Sequence, residues 1–105
     1  PGRNKWCAAE LYHPVLVGSH KVVHMHANRA LMLCWPPMNG LAIEALRAYC
    51  GRRLIYIGED AGGCCAGDNF FAMLSQGWCV IGQIDIPQWW GLHDTLWLYE
   101  RNLAA

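Results

Sequence analysis

Charge is scarce in this chain. Only 15% of its 105 residues are Asp, Glu, Lys or Arg, against about 25% in an average soluble domain. Neither sign prevails, since eight basic residues stand against eight acidic ones. Without a basic face, nucleic acid is not expected as a partner. Gly, Pro or charge breaks every apolar run well short of the ~20 residues that a membrane helix needs, so no membrane contact is expected. The opening PGRNKWCAAELYHP has no apolar signal-peptide core, and a cytoplasmic location is the expectation. Cysteine never recurs as C-x-x-C, so zinc lacks its usual spacing and no metal is expected. Phosphate-cradling glycine motifs are missing too. Gly58-Glu59-Asp60-Ala61-Gly62-Gly63 is neither a P-loop nor G-x-G-x-x-G, and its two carboxylates repel a phosphate.

Apolar residues are plentiful, at 54% with six tryptophans. So few charges leave apolar surface uncovered, which favours a buried subunit interface. The length fits one domain. Residues 30–105 read as its α/β core and 1–29 as an N-terminal covering segment. The six cysteines, at 7, 34, 50, 64, 65 and 79, are expected to be reduced. Cys34 and Cys79 lie inside apolar strand patterns and Cys50 ends a helix pattern, where thiols act as small buried hydrophobes.

Within 1–29, Val15, Leu16 and Val17 suit a short edge strand behind Pro14. Ser19 can cap a short helix reaching Ala27. His20 and His24 lie one helical turn apart, but no carboxylate or cysteine joins them at metal-ligand spacing, which favours a solvated face. The continuous apolar run 30–35, stopped by Pro36-Pro37, fits a central parallel strand. Asn39 is a plausible N-cap for a helix through Cys50, with Gly51 beyond its end. Ala42, Ala45, Leu46 and Tyr49 make its apolar stripe, and Glu44 can pair with Arg47 on the open side.

The stretch 53–71, RLIYIGEDAGGCCAGDNFF, organises the rest. Residues 54–57 read as a strand buried on both faces, followed by a glycine-rich loop and a helix over 69–76. Residues 78–86 read as a third strand and 95–99 as a last one. The short loop between those two makes them antiparallel. Right-handed crossovers place both main helices on one face of the sheet. The first three strands then share their carboxyl ends, the edge where ligands bind in open α/β sheets. That edge gathers Trp35, Glu59, Asp60, Cys64, Cys65, Gln88, Trp89, Trp90 and His93. Aromatic walls with a few carboxylates suit a small aromatic or cationic ligand. Each member also has a plainer role. Cys64 and Cys65 are a redox pair or merely neighbours on a turn. His93 is a general base beside Asp94 or a hydrogen-bonding loop residue. Trp89 and Trp90 clamp a ligand or plug the sheet end.

The segments LMLCWPP, AIEALRAYCG, LIYIGEDAGGC, GDNFF and IDIPQWWGLHDTLWLYER resemble the second half of an uncharacterised bacterial family. That family is similar to class I S-adenosylmethionine-dependent methyltransferases. The likeness spans about residues 11–101. It implies a Rossmann-like, mixed but mostly parallel sheet of about four strands, half of a methyltransferase-like fold, with 94–100 inserted beside the second strand. Pro36-Pro37 takes the place of the Asp/Asn-Pro-Pro-aromatic motif of amino-methylating members, with Trp35 and Met38 in its flanking positions. The cofactor-binding half, with its glycine loop and ribose-binding acid, is not among these residues. No cofactor is therefore expected, except S-adenosylmethionine if a partner completes the site. Two functions compete. One is a non-catalytic module binding a small ligand or a protein partner; the other is an enzyme of methyl transfer completed by another subunit. A gene remnant without retained activity is the third reading. Half a fold leaves one sheet face and one strand edge open, so a homo-oligomer, most simply a two-fold dimer, is expected.

Overall fold

The computed structural model describes residues 18–102. The expected strand at 15–17 and Cys7 lie outside them. The architecture is α/β. A 3₁₀ helix, His20–His26, is followed by β1 (Leu31–Cys34), α1 (Leu41–Ala48), β2 (Arg53–Gly58), α2 (Asp68–Gly77), β3 (Trp78–Ile84) and β4 (Thr95–Arg101). The sheet order is β1-β2-β4-β3. β1 and β2 are parallel, while β4 runs antiparallel to both β2 and β3. The insertion of the last strand beside the second is thus as expected, and β1, β2 and β3 do point the same way. "Mostly parallel" is corrected: by neighbouring pairs the sheet is mixed, because β4 separates the two strands that it opposes.

One core explains the arrangement. Alternation along β2 turns Leu54 and Tyr56 to the same side as Leu33 of β1 and Tyr99 of β4. Ala42, Ala45 and Leu46 of α1 and Phe70 and Leu74 of α2 pack there with them, which puts both helices on one face. The other face carries Met32, Cys34, Ile55, Ile57, Leu96, Leu98 and Ile84 by the same alternation. It is only partly covered, with Met32 56% and Ile84 51% exposed. β2 is therefore not buried on both faces. Among the described residues β1, whose apolar run fits a central strand, is an edge of the sheet, as the open strand edge of half a fold implied. Its continuous apolar run reports a strand that wants a second neighbour. β3 is the other edge. Cys34 and Cys79 fall on the open face and are exposed rather than buried, as is Cys50. All the described cysteines are free.

Helix ends differ in detail from the sequence expectation. Ser19 does cap the 3₁₀ helix, its hydroxyl accepting from the Lys21 N–H. α1 starts after Gly40, whose φ of 89° is the left-handed region that glycine tolerates. Asn39 still contributes, since its Oδ1 accepts from the Leu41 N–H at 3.1 Å. The helix ends at Tyr49, already extended, so Gly51 is no helix cap. Tyr49 instead donates its hydroxyl to the Arg29 carbonyl, and Arg101 donates to the carbonyls of Tyr49 and Gly51. The Arg101 guanidinium also lies 4.5 Å from the centre of the Trp78 ring. Glu44 pairs not with Arg47 but with His20, at 2.9 Å, which ties the 3₁₀ helix to α1. This described part of the covering segment thus sits against α1 and not on the open sheet face. β3 stops at Ile84, two residues earlier than expected.

Candidate functional site

The carboxyl ends of β1, β2 and β3 and the start of β4 lie at one end of the sheet, because Cys34 pairs with Ile57 and Gly58 with Thr95. Three loops meet there, and each pair is joined by a hydrogen bond. Ala66 donates its N–H to the Pro36 carbonyl at 2.8 Å. His93 donates its backbone N–H to Glu59 Oε2 at 3.0 Å. Trp35 donates its indole N–H to Asp94 Oδ2 at 3.1 Å. The convergence expected from strand direction is therefore present.

The loop after β2 is built around Tyr56 and Cys65, both buried. The Tyr56 hydroxyl donates to the Glu59 carbonyl at 2.7 Å, so the 3.0 Å contact with Cys65 is the thiol donating to the phenol oxygen. Cys65 Sγ in turn accepts from the Glu59 N–H at 3.2 Å. Burial first, and the contact with Cys65 second, push the Tyr56 hydroxyl far above its ordinary pKa. A Cβ on Gly58 would lie 2.7 Å from the Tyr56 oxygen and 2.9 Å from Cys65 Sγ. Only glycine lets the strand end pass so close.

Glu59 is the hub of the exposed rim. Its Oε1 accepts from the Cys64 thiol at 2.8 Å and the Cys64 N–H at 3.3 Å, while Oε2 takes His93. The Cys64 thiol is the largest of the effects that hold the carboxyl below the usual carboxylate range. A depressed folded pKa makes this tie complete above the ordinary value, about 4.3. It is lost as pH falls through the lower folded value. The same bond, followed by partial burial and the Glu59 charge, pushes the Cys64 thiol up. That argues against Cys64 as a thiolate nucleophile or redox centre. In Glu59→Gln the charge is gone and Cys64 becomes a better nucleophile. Its alkylation by iodoacetamide at pH 8, read by peptide mass against exposed Cys79 as internal reference, is expected to speed up. An unchanged ratio would contradict the coupling.

The remaining expected residues divide. Gln88 joins the centre, its side-chain amide donating to the Asp94 carbonyl. Asp60 does not. Its Oδ1 accepts from the Ala61 N–H at 2.8 Å, and it borders a separate cleft with Phe71, Ser75 and Val80. Trp89 and Trp90 are 82% and 100% exposed, so they neither wall the edge nor plug it. Asp94 is the residue that sequence reading passed over as a mere neighbour of His93. It is the one buried charged residue among those described, at 8% exposure, and its Oδ1 has no hydrogen-bond partner among the described residues. The available signal was its place, an acid immediately before a strand at the carboxyl edge. An unpaired buried acceptor costs about 1–3 kcal/mol. Its partner Trp35 is held at φ 49°, in the left-handed region, which costs a non-glycine residue about 1–3 kcal/mol. Two costs thus meet at one hydrogen bond.

Comparison with known protein families, curated proteins and solved structures finds no match to this chain. What the site can do rests on its own chemistry. Segments 35–40, 58–68 and 85–94 carry Glu59, Asp60, Asp68, Asp85 and Asp94 and not one Lys or Arg. Arg29, Arg52 and Arg53 line a cleft of about 330 Å³ at the opposite end of the sheet. Among the described residues, the sheet is thus acidic at its carboxyl end and basic at the other. The acidic end repels anions and attracts cations. No group of three or more metal-ligating side chains occurs among the described residues.

Proposed function

We propose that this chain is a Rossmann-like, methyltransferase-like half-domain that serves as a binding module, taking a small ligand at the carboxyl edge and not catalytic by itself. The observation that carries this reading is the meeting of three loops at the shared strand ends, joined through Trp35–Asp94, Glu59–His93 and Ala66–Pro36. This edge of the sheet is where open α/β folds hold ligands.

The alternative, methyl transfer at a site completed by another subunit, has less behind it. In the glycine-rich loop the N–H groups of Glu59, Ala61, Gly63, Cys64, Ala66 and Gly67 are all turned to partners within the protein. This loop therefore keeps few free backbone donors of its own to offer a cofactor. In that alternative the cofactor loop would come from the other subunit. No helix among them is long and apolar enough to cross a membrane. For assembly we propose a two-fold dimer through the open sheet face. The reading is tested by ¹H–¹⁵N spectra with small aromatic compounds and with S-adenosylmethionine. Shifts from the aromatic compounds at residues 35–38, 58–66 and 88–94, and none from S-adenosylmethionine, are expected.

A further inference from the structure

Three features at the carboxyl edge share one explanation. Asp94 is buried, and its Oδ1, exposed by less than 1 Å², lacks a donor among the described residues. The side chain that satisfies its other oxygen, Trp35, is fixed there by a left-handed backbone. The segments around it hold five carboxylates and no Lys or Arg. A buried carboxylate with one free oxygen, beside an indole, in a field of like charge, calls for a cation that can also donate a hydrogen bond. We propose that Asp94 is the specificity residue of this edge and that the ligand is a protonated amine, amidine or guanidine on a small flat frame. The inference rests on the proposed ligand site and adds the chemistry that selects its occupant.

Oδ2 of Asp94 keeps the Trp35 indole N–H, which fixes the carboxylate plane. Oδ1 accepts an N–H from the ligand, a charge-assisted bond stronger than a neutral one. The flat frame lies against the Trp35 indole, where a cation also gains from the ring face. Glu59 is the weaker candidate, because its oxygens already accept from Cys64 and His93 whereas Oδ1 of Asp94 has no donor among the described residues. Asp60 is turned to the Ala61 N–H. Reaching Oδ1 requires the 85–94 segment to shift, since the atom is covered. Quaternary ammonium ions are poor ligands on this account: they have the charge but no N–H, and leave Oδ1 unpaired. Anions are excluded by the field.

The test uses three phenyl compounds of similar size: benzamidine, phenyltrimethylammonium and benzamide. The first has charge and N–H donors, the second charge alone, the third donors alone. Each is titrated into ¹⁵N-labelled protein while the Trp35 indole N–H resonance is followed, assigned with Trp35→Phe. Benzamidine is expected to move that resonance saturably and to bind about tenfold or more tighter than the other two, the worth of a charged hydrogen bond. Asp94→Asn is expected to remove the preference while keeping the indole bond through its amide oxygen. Should Asp94→Asn fail to fold, the three-way comparison on the unaltered protein decides alone. Equal binding of all three at this edge would overturn the assignment to Asp94 and leave the ligand site standing. Benzamidine shifts confined to other parts of the protein, or none at all, would overturn the assignment too. Shifts at the edge from the neutral amide alone would do so as well.

Discussion

Replacing Phe70 with alanine is expected to remove about 3–5 kcal/mol of stability, the usual cost of truncating a fully buried phenylalanine. Its side chain has no exposure, and its ring centre lies 5.4 Å from that of Tyr56 and 5.3 Å from that of Phe71. Tyr56 and Phe71 are themselves in edge contact, at 5.7 Å. Such aromatic pairs add about 0.5–1.5 kcal/mol beyond their buried area. A domain of this size has only about 5–15 kcal/mol in total. The loss therefore takes a large share of it, and Phe70→Ala is expected to be partly unfolded at 37 °C. Phe70→Leu, which keeps most of the volume, is expected to cost much less. Urea denaturation followed by far-UV circular dichroism reads both. Trp90→Ala is the control, because a fully exposed side chain changes stability by no more than about 0.5 kcal/mol. If Phe70→Ala and Trp90→Ala melted alike, the core assigned here would be wrong. The effect also reaches the site, since the Tyr56 hydroxyl that rests on this cluster holds Glu59 and Cys65.

The second large effect concerns mass. Static light scattering on the purified chain at micromolar concentration is expected to give twice the 11.8 kDa of one copy. A neutral apolar face is complementary to its own copy. On the open side of the sheet, Ile55, Ile57, Leu96 and Leu98 are central, with Met32 and Ile84 toward the two edges. The charges on this face in β2 and β4 are Arg53 and Glu100, which face each other across the strands and pair at 3.2 Å. A face without net charge does not repel its own copy, and homodimer interfaces are apolar at their centre. Among the described residues both edge strands also lack a second neighbour, and a two-fold contact can cover such edges. Ile84→Lys together with Met32→Lys places four like charges in such an interface and is expected to yield the monomer mass. A clean monomer for the unaltered chain would contradict the dimer.

Much of this fold could be read from punctuation. Pro36-Pro37 stops β1, Gly58 stops β2 and Gly77 stops α2. The apolar runs between them have the length of strands or the period of a helix. That β4 lies antiparallel beside β3 followed from the short 85–94 connection. Pattern could not say which strands lie at edges. Leu31-Met32-Leu33-Cys34 is as apolar as a central strand, and it is the open face of the sheet that leaves Met32 and Cys34 exposed. The end of α1 was misplaced because Tyr49 leaves the helix to reach Arg29, a partner 20 residues away that spacing cannot disclose.

The site was legible as a place and less so as a set of contacts. Strand direction alone put Trp35, Glu59, Gln88 and His93 at one end. It could not separate them from Trp89 and Trp90, which the turn around Gly91 leaves in solvent. Nor could it find Asp94, whose importance lies in burial and in an unpaired oxygen.

The claim on which the rest depends is that ligands enter at the carboxyl edge, and chemical-shift mapping tests it most directly. A set of small aromatic compounds, cationic, neutral and anionic, is added to the ¹⁵N-labelled chain. The account predicts that cationic members shift the amides of residues 35–38, 58–66 and 88–94 and the Trp35 indole, and that anionic members leave them unmoved. Shifts gathered instead at the opposite end, around Arg29, Tyr49, Arg52 and Arg53, with the carboxyl edge silent, would contradict it.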